Sequence, residues 1–239
     1  MDSQNKDKYE IHEAAREGKT SVVESLLNAN PRLSSRRDED DRLPLHWAVA
    51  YNRPEIVQLL MQSKNFDVDA SDGLGWTPLM MASSLKAGDG DALIDTLLSA
   101  GADVNAKNNN GQTALHFAAS KNNIDTARKL VAHKASARVK DKRGQLALHR
   151  AAAVGSVPMM RLLLENRSPV NATDVDGMTA LHHAISEGHG DAALMLLKAG
   201  AETDKRDTDG HLAIQLAPDA KIRDFILQSA EREAIDLEQ

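Results

Sequence analysis

The sequence contains no cysteine and few aromatic residues, with two tryptophans, two tyrosines and three phenylalanines among its 239 residues. Without cysteine the chain has no disulfide, no thiolate metal ligand and no thiol nucleophile. Low aromatic content is typical of a solenoid packed with small aliphatic side chains. No apolar run approaches the roughly 18 residues that span a bilayer, and residues 1–10 lack the apolar stretch of a signal peptide. We therefore expect a soluble intracellular protein.

The chain also has no excess of positive charge, since its formal net charge at pH 7 is −6. A nucleic-acid-binding protein is expected to present a basic face, so the charge argues against that class of partner. The acidity lies in the N-terminal half, and a dense part of it is the segment RRDEDDR at residues 36–42. Two interpretations of this segment stay open: a solvated turn tip, or a charged cluster that faces a partner.

One short pattern recurs along the chain at a nearly constant period. Successive copies start 34, 36, 33, 33 and 33 residues apart, which indicates a repeat architecture. Stepping back 34 residues from His46 reaches His12, in a segment with the same apolar pattern, so we count seven units. The six clear copies are LPLHWA (43–48), TPLMMA (77–82), TALHFA (113–118), LALHRA (146–151), TALHHA (179–184) and LAIQLA (212–217).

The spacing and the T-P-L-H-x-A letters resemble those of the ankyrin repeat, a β-turn followed by two antiparallel helices. The threonines fit helix N-caps, and Pro44 and Pro78 fit the first helical position. The resemblance covers nearly the whole chain and implies an all-α ankyrin-repeat solenoid of seven helix-turn-helix repeats with β-turn loops. We expect a single domain over 1–239, with repeats at about 8–38, 39–71, 72–107, 108–140, 141–173, 174–206 and 207–232 and a short polar C-terminal tail.

The recurring histidines do not form a catalytic or metal-binding pattern. His46, His116, His149 and His182 occupy one position in successive units, so each is expected to hydrogen-bond to a neighbouring repeat and not to ligate a metal. No Gly-x-Ser-x-Gly elbow is present, and GDGD at 88–91 lacks the Lys-Ser/Thr of a phosphate loop. That segment coincides with the 36-residue step and predicts a loop insertion in the third unit. We expect no enzyme activity, no cofactor and no metal.

Function is then expected to come from the positions that do not repeat. The residue after the histidine position varies, and in an ankyrin solenoid this column lies toward the concave face. Trp47, Tyr51 and Trp76 concentrate large aromatic side chains near charge in the N-terminal half, which fits an interface anchor. Simple packing between turns is the alternative. The variable column consists of Trp47, Met81, Phe117, Arg150, His183 and Leu216.

Four segments narrow the resemblance further: DEDDRLPLHWA (38–48), GWTPL (75–79), NGQTALHFAASKN (110–122) and ALHRAAAVG (147–155). Together with the seven-unit count they resemble the gankyrin family, the proteasome-associated ankyrin proteins, including its fungal members. The resemblance implies a cytoplasmic and nuclear assembly chaperone of the 26S proteasome regulatory particle. Such a protein is expected to be a monomer that binds the C-terminal domain of one base ATPase, the third, along its concave face.

The resemblance also implies which residues contact the partner. Its basic contacts to ATPase glutamates fall on Arg42 and Lys121, about two repeats apart on the expected concave face. Its acidic contacts fall on Asp40 and Asp72, which are expected to be free to meet basic partner residues. The predicted partner-binding set, with the aromatic and column residues included, is Asp40, Arg42, Trp47, Tyr51, Asp72, Trp76, Phe117, Lys121 and Arg150.

Some features depart from the family pattern. HAISE at 183–187 lacks the leucine and cysteine of the Leu-x-Cys-x-Glu segment proposed to bind retinoblastoma protein in animal members, so that activity is not expected here. The insertion near 85–91 and the tail EREAIDLEQ at 231–239 have no counterpart, and the polar tail is predicted to be a frayed helix end. A generic ankyrin scaffold or adaptor for another signalling or transcription protein is the alternative function, and an enzyme is a more distant one.

Overall fold

The computed structural model describes residues 9–235 and residue 237. Residues 1–8, and residues 236, 238 and 239 of the predicted tail, lie outside the described residues. Two compact units are present, Met1–Ala114 and Leu115–Gln239. Within the described residues both units are helical, with one isolated antiparallel bridge between Arg206 and Leu212.

Along the chain the helices follow one another in pairs, two to a repeat. The first unit contains α1 (Glu10–Glu17), α2 (Thr20–Ala29), a 3₁₀ helix (Pro31–Ser35), α3 (Pro44–Ala50), α4 (Pro54–Met61), α5 (Pro78–Ser83) and α6 (Asp91–Ser99). The helices that follow are α7 (Ala114–Ser120), α8 (Ile124–Ala132), α9 (Ala147–Ala153), α10 (Val157–Glu165), α11 (Ala180–Ser186), α12 (Gly190–Lys198), a 3₁₀ helix (Ala213–Leu216) and α13 (Ala220–Arg232).

The short helices begin at residues that suit helix N-termini. The hydroxyl of Thr77 accepts a hydrogen bond from the amide of Met80, and Thr179 caps α11 in the same way. Pro44 and Pro78 occupy the first turns of α3 and α5, where a missing amide hydrogen leaves no helical bond unmade. The sequence prediction of these helix starts is confirmed.

The predicted insertion in the third repeat is confirmed as a loop. In the second repeat only residues 51–53 connect α3 with α4, and the fourth, fifth and sixth repeats have connections of the same length. In the third repeat α5 ends at Ser83 and α6 begins at Asp91, so residues 84–90 form a longer connection. The extra length therefore stays outside the packed helices.

A turn built on one Asp or Asn side chain precedes the first helix of most repeats. Oδ1 of Asp72 accepts hydrogen bonds from the backbone amides of Leu74 and Trp76, both at 2.9 Å. A short polar side chain that bonds its own backbone in this way stabilises a turn without help from other elements. The same two bonds are made by Asp38, Asn108, Asp141, Asp174 and Asp207.

Neighbouring turns approach closely enough to require glycine. In the second unit the amide of Val175 donates to the carbonyl of Arg143 at 2.9 Å, which joins two successive turns. Gly144 belongs to the first of these turns and has φ of 72°, and a Cβ there would lie 3.1 Å from Cα of Asp174 in the second turn. Only glycine accepts both the left-handed backbone and this approach.

Helices of adjacent repeats pack through small and aliphatic side chains. In the first unit α1 packs on α3 and α3 packs on α5, and in the second unit α9 packs on α10 and α11. The buried side chains include Ala48, Leu79, Leu148 and Ala151. Because each repeat contacts mainly its neighbours, the core is a series of interfaces. No helix in the part of the chain that the structure describes has the length and apolarity to cross a membrane.

The repeated histidines bond to backbone near repeat boundaries, and His116 makes the predicted contact to a neighbouring repeat, since its Nε2 lies 3.1 Å from the carbonyl oxygen of Gln145. Nδ1 of His46 accepts the amide of Leu43 at 2.9 Å, and Nε2–H donates to the carbonyl of Ala70 at 2.9 Å. His149 repeats this arrangement and donates to the carbonyl of Ala172 at 3.0 Å. With one nitrogen accepting and the other donating, the ring is a neutral imidazole.

Burial keeps these rings neutral. Loss of contact with water lowers the pKa of His46 and of His182. Burial also lowers the pKa of His149 to about 4, with the nearby ring of His183 as the second cause. The rings of His149 and His183 meet edge to face with centroids 5.6 Å apart.

The seventh repeat departs from the predicted helix pair. Its LAIQLA segment forms a 3₁₀ helix at Ala213–Leu216, because Pro218, two residues beyond the end of that helix, has no amide hydrogen with which a longer helix could continue. Gln215 occupies the histidine position, and its Oε1 accepts the amide of Leu212 at 2.9 Å. A glutamine therefore replaces the acceptor that a histidine nitrogen provides in other repeats.

Leu148→Ala tests the repeat register. Leu148 is fully buried in α9, so the truncation is expected to lower the free energy of unfolding by about 2–5 kcal/mol. Val154→Ala, at an exposed position just after α9, is the matched control and should change it by less than about 0.5 kcal/mol. Urea denaturation followed by circular dichroism measures both. A Leu148→Ala curve that overlays the wild type would show that this position is not in the core.

We expect stability to fall as pH decreases from 6.5 towards 4. The pKa of His149 in the folded state, about 4, lies below its ordinary value of 6.5, so the unfolded chain binds the proton more tightly. The stability from this neutral ring is complete above pH 6.5 and is lost across that interval, by about 3 kcal/mol. His149→Gln, which copies the natural Gln215, should lose less between pH 7 and pH 4 in urea melts. Parallel pH dependences would contradict the titration of His149.

Candidate protein-binding surface

The second carboxylate oxygen of several turn aspartates accepts a hydrogen bond from a side chain outside the turn. In three repeats Oδ2 accepts a hydrogen bond from the variable-column side chain nine residues later in the chain. A carboxylate that holds a long side chain in one rotamer removes much of the entropy that binding would otherwise cost. The pairs are Asp38 with Nε1 of Trp47 at 2.7 Å, Asp141 with Nη2 of Arg150 at 2.9 Å, and Asp174 with Nε2 of His183 at 2.9 Å.

The guanidinium of Arg42 is a cation that lies between two acidic turns of the first unit. Its Nε donates to Oδ2 of Asp72 at 3.3 Å, and its Nη1 lies 3.9 Å from Oδ2 of Asp40. The guanidinium carbon lies 5.3 Å from the ring centroid of Trp47, within the range of a cation–π contact. The side chain is 30% exposed, so part of this restrained side chain stays open to solvent.

An open groove of about 420 Å³ lies beside Arg42 in the first unit. Its walls include the rings of Trp47, Tyr51 and Trp76. Trp47 and Tyr51 stack with centroids 6.0 Å apart, and Tyr51 is half exposed. The exposed side chain of Leu74 also lines the groove. Four of the predicted contact residues are therefore brought together around one partly aromatic groove.

The two predicted acidic contacts differ in availability. The side chain of Asp40 is 72% exposed, whereas that of Asp72 is 1% exposed. The Asp72 carboxylate closes its own turn through the amides of Leu74 and Trp76 and also accepts from Arg42. The expectation that Asp72 is free to meet a basic partner residue is therefore wrong, because these internal donors already use its carboxylate.

The RRDEDDR segment forms a turn tip and also exposes charge that a partner could contact, so it combines the two interpretations that the sequence left open. Asp38 closes the turn by accepting the amides of Asp40 and Arg42 at 3.0 and 2.9 Å. Arg37 also serves the turn, because it donates to two backbone carbonyls. Glu39 and Asp40 are exposed at the tip, and their charges remain available to a partner.

Asp38 stays ionised beside the tryptophan. Burial acts to raise its pKa, but the hydrogen bonds from the Trp47 indole and from the amides of Arg42 and Asp40 outweigh it, so the pKa lies below the ordinary value. The carboxylate that orients Trp47 is therefore a full negative charge at neutral pH.

The other predicted contacts lie in the second unit. Phe117 is half-buried on α7, and Lys121 is exposed directly after that helix. Arg150 on α9 bonds the buried carboxylate of Asp141 and is one quarter exposed. This unit thus offers an exposed cation at Lys121 and a restrained one at Arg150.

Sequence analysis missed the bonds that restrain the variable column. His183, which was outside the predicted contact set, is held by Asp174, and the same carboxylate accepts Nε2 of Gln145 at 3.1 Å. The sequence does contain a signal for these bonds, because an Asp or Asn recurs with the repeat period, nine residues before the variable position. A donor and an acceptor at constant separation in several repeats predict a contact between them.

Comparisons with known proteins agree with this architecture. A family model described as ankyrin repeats matches three overlapping stretches, residues 11–108, 84–174 and 134–207. Among solved structures, the ankyrin-repeat domain of Bcl-3, a member of the IkappaB protein family, is similar with a TM-score of 0.72 and 26% identity. That match covers 91% of this chain and 97% of the other.

Several curated proteins are similar over about half of the chain. A Saccharomyces cerevisiae protein described as a probable 26S proteasome regulatory subunit p28 is 39% identical over 134 residues, which are 54% of this chain and 58% of the relative. Neurogenic locus notch homolog protein 1 of Xenopus laevis is 35% identical over 126 residues, which are 53% of this chain and 5% of the relative. The matches thus span less than two thirds of either relative's own length.

Two substitutions at Asp72 separate the roles of its oxygens. Asp72→Ala removes a buried acceptor from two amides and from Arg42 and is expected to lower the free energy of unfolding by roughly 2–4 kcal/mol. Asp72→Asn keeps the acceptor for the amides, as the natural Asn108 does, and should cost about 1 kcal/mol. Urea denaturation compares the two. Equal losses would show that acceptance of the amides by Oδ1 does not stabilise the turn.

Proposed function

The chain belongs to the ankyrin-repeat family, whose members are protein-interaction modules, and we propose that it is an assembly chaperone of the 26S proteasome regulatory particle. In this role it binds the C-terminal domain of one base ATPase subunit, the third, and keeps that subunit from docking productively before the base is complete. It acts by binding and not by catalysis, as a monomer in the cytoplasm and nucleus.

One observation carries the proposal. The 39% identity to the yeast protein described as a probable proteasome regulatory subunit extends over 134 residues, which is about four repeats at the period of this chain. The ankyrin framework alone accounts for part of that identity, because repeat letters recur in every member. The non-repeated residues of the family segments, such as Arg42 and Trp47 in the first unit, add support that the repeat letters do not.

The first unit offers the chemistry that protein interfaces use. Aromatic side chains and arginine supply most of the binding energy in protein complexes, and Trp47, Tyr51, Trp76 and Arg42 surround one groove. Arg42 is already oriented by Asp72, so less entropy is lost when an acidic partner residue approaches it. An exposed glutamate on the ATPase domain fits this site.

A second candidate function is a scaffold or adaptor for a signalling or transcription protein. The similarity to the Notch homologue of Xenopus laevis and to the ankyrin-repeat domain of Bcl-3 favours it. The two functions differ in partner and share the fold. Capture from cell extract separates them, since the first requires proteasomal ATPase peptides.

Binding to the six base ATPase C-terminal domains tests the proposal by titration calorimetry. We expect one domain to bind, and Lys121→Glu and Tyr51→Ala to weaken that binding about tenfold or more, equivalent to at least about 1.4 kcal/mol. Lys121 is exposed, so its reversal should leave thermal stability unchanged, whereas Tyr51→Ala also removes the stack on Trp47 and should lower it slightly. Reversing Arg42 is less informative because it would also disturb Asp72.

Arg161→Glu is the matched control for Lys121→Glu. Arg161 is an exposed cation on α10, and its reversal makes the same change in net charge, so binding should stay at the wild-type level. If no ATPase domain binds, the proteasomal role is wrong. If both reversals weaken binding equally, the attraction is a general effect of net charge and not a contact at Lys121.

A further inference from the structure

The second unit contains a strongly basic segment, although the chain as a whole has a net charge of −6. Residues 126–173 hold ten lysines and arginines but only two acids, Asp141 and Glu165. Asp141 is buried in its own turn and pairs with Arg150, so Glu165 is the one exposed acid of this segment. A local excess of charge opposite in sign to the rest of the chain creates a field that attracts partners of complementary charge.

Four of these cations lie on two neighbouring loops. The loop after α8 carries Lys134, Arg138 and Lys140, and the loop after α10 carries Arg167. Nη1 of Arg138 donates to the backbone carbonyl of Arg167 at 3.4 Å, and Nζ of Lys140 donates to that of Thr173 at 2.7 Å. These bonds join the two loops into one surface. We call it the basic loop face, and it consists of Lys134, Arg138, Lys140 and Arg167.

The charge of this face is not neutralised within the chain. All four side chains are exposed, and among the described residues no carboxylate forms an ion pair with Arg138, Lys140 or Arg167. Glu202 of the next repeat lies beside the face, but its carboxylate already pairs with a lysine of its own loop. A guanidinium has five donors and an ammonium three, so one bond to a carbonyl leaves most of them for a partner.

Two of the four cations occupy positions that the fold alone would give to glycine. Lys134 and Arg167 end their loops' preceding helices in the left-handed conformation, with φ of 71° and 66°. One period away on either side the equivalent residues are Gly101 and Gly200, both with φ of 87°. A residue with a side chain is strained in this conformation, whereas glycine adopts it freely. The two cations therefore indicate a use for their charge outside the fold.

We propose that the basic loop face binds an acidic segment, rich in aspartate and glutamate, of a partner protein. Cations from two adjacent loops can pair with successive carboxylates of such a segment through charge-assisted hydrogen bonds. A nucleic acid fits less well, because single strands stack on aromatic rings and residues 118–224 contain no Trp, Tyr or Phe. The face shares no residue with the groove of the first unit, and the inference does not rest on the proteasomal role.

Fluorescence anisotropy with the whole protein and a defined peptide tests the proposal. The probe is the labelled peptide Gly-Glu-Asp-Glu-Asp-Glu-Gly, and its control has Gln and Asn in place of Glu and Asp. We expect saturable binding with a Kd on the order of 100 μM at low salt, weakened several-fold at physiological ionic strength by screening. The control should bind at least about tenfold more weakly. No saturable binding, or equal binding of the control, would overturn the proposal.

A matched pair of double variants locates the binding. Arg138→Gln with Arg167→Gln should weaken the acidic peptide about tenfold. Lys221→Gln with Arg223→Gln removes the same charge from exposed positions on α13 and should leave binding nearly unchanged. Equal losses in the two double variants would mean that only net charge acts. An oligodeoxythymidine that binds more tightly than the peptide, and is lost with Arg138 and Arg167, would assign the face to nucleic acid. Either result contradicts the proposal.

The double change Lys134→Gly and Arg167→Gly separates recognition from folding. It copies the residues found one period away, Gly101 and Gly200, and relieves the left-handed backbone. We expect a melting temperature at or above that of the wild type, together with about tenfold weaker binding of the acidic peptide. Since the variant stays folded, its loss of affinity reports the missing charges alone. Wild-type affinity in this variant would show that the two cations do not contact the peptide and would refute the proposed face.

Discussion

Two backbone amides in each turn donate to one side-chain oxygen of an Asp or Asn, and this contact sets the geometry from which the next helix pair starts. Asn108 makes the same two bonds as its aspartate counterparts, so the turn requires an acceptor and not a charge. The positive φ of glycines such as Gly144 then lets the next turn approach closely. Helix packing, histidine bonds and the column of variable side chains all follow from this starting geometry.

The charge of the aspartates has a different use, which is to orient side chains. Trp47, Arg150 and His183 are chemically unlike, yet each donates to the second oxygen of the turn carboxylate nine residues earlier. A single acceptor therefore fixes an indole, a guanidinium and an imidazole at equivalent positions. The side chain that faces a partner can change between repeats while its direction is kept, which is the requirement for a modular binding surface.

Much of the fold could be predicted from the sequence because its determinants are local. The period, the helix starts at Thr77 and Pro44, the loop insertion and the bridging role of the histidines each depend on residues within one repeat or at one repeat's distance. The 3₁₀ helix of the seventh repeat was missed although its cause, Pro218, is also local.

The functional residues were harder to predict because charge in a sequence does not reveal burial. Asp72 was expected to be free, but Arg42, thirty residues earlier, lies against its carboxylate. Likewise, a cavity at the first repeat has both Glu13 and Trp47 in its walls, which no repeat period relates. Residue types identified the candidates, and only the three-dimensional contacts decided which of them stay available.

Arg42 shows how stability and recognition share one group. A partner carboxylate that approaches its exposed face does not have to displace Asp72, because a guanidinium has several donors and Asp72 uses the Nε side. If the partner did draw Arg42 away, Asp72 would keep both turn amides but lose its only counter-ion among the described residues, at a cost typical of an unpaired buried charge. The arrangement therefore favours partner carboxylates that reach the guanidinium from the groove while Arg42 keeps its present orientation. The internal ion pair thus contributes more to partner specificity than to affinity.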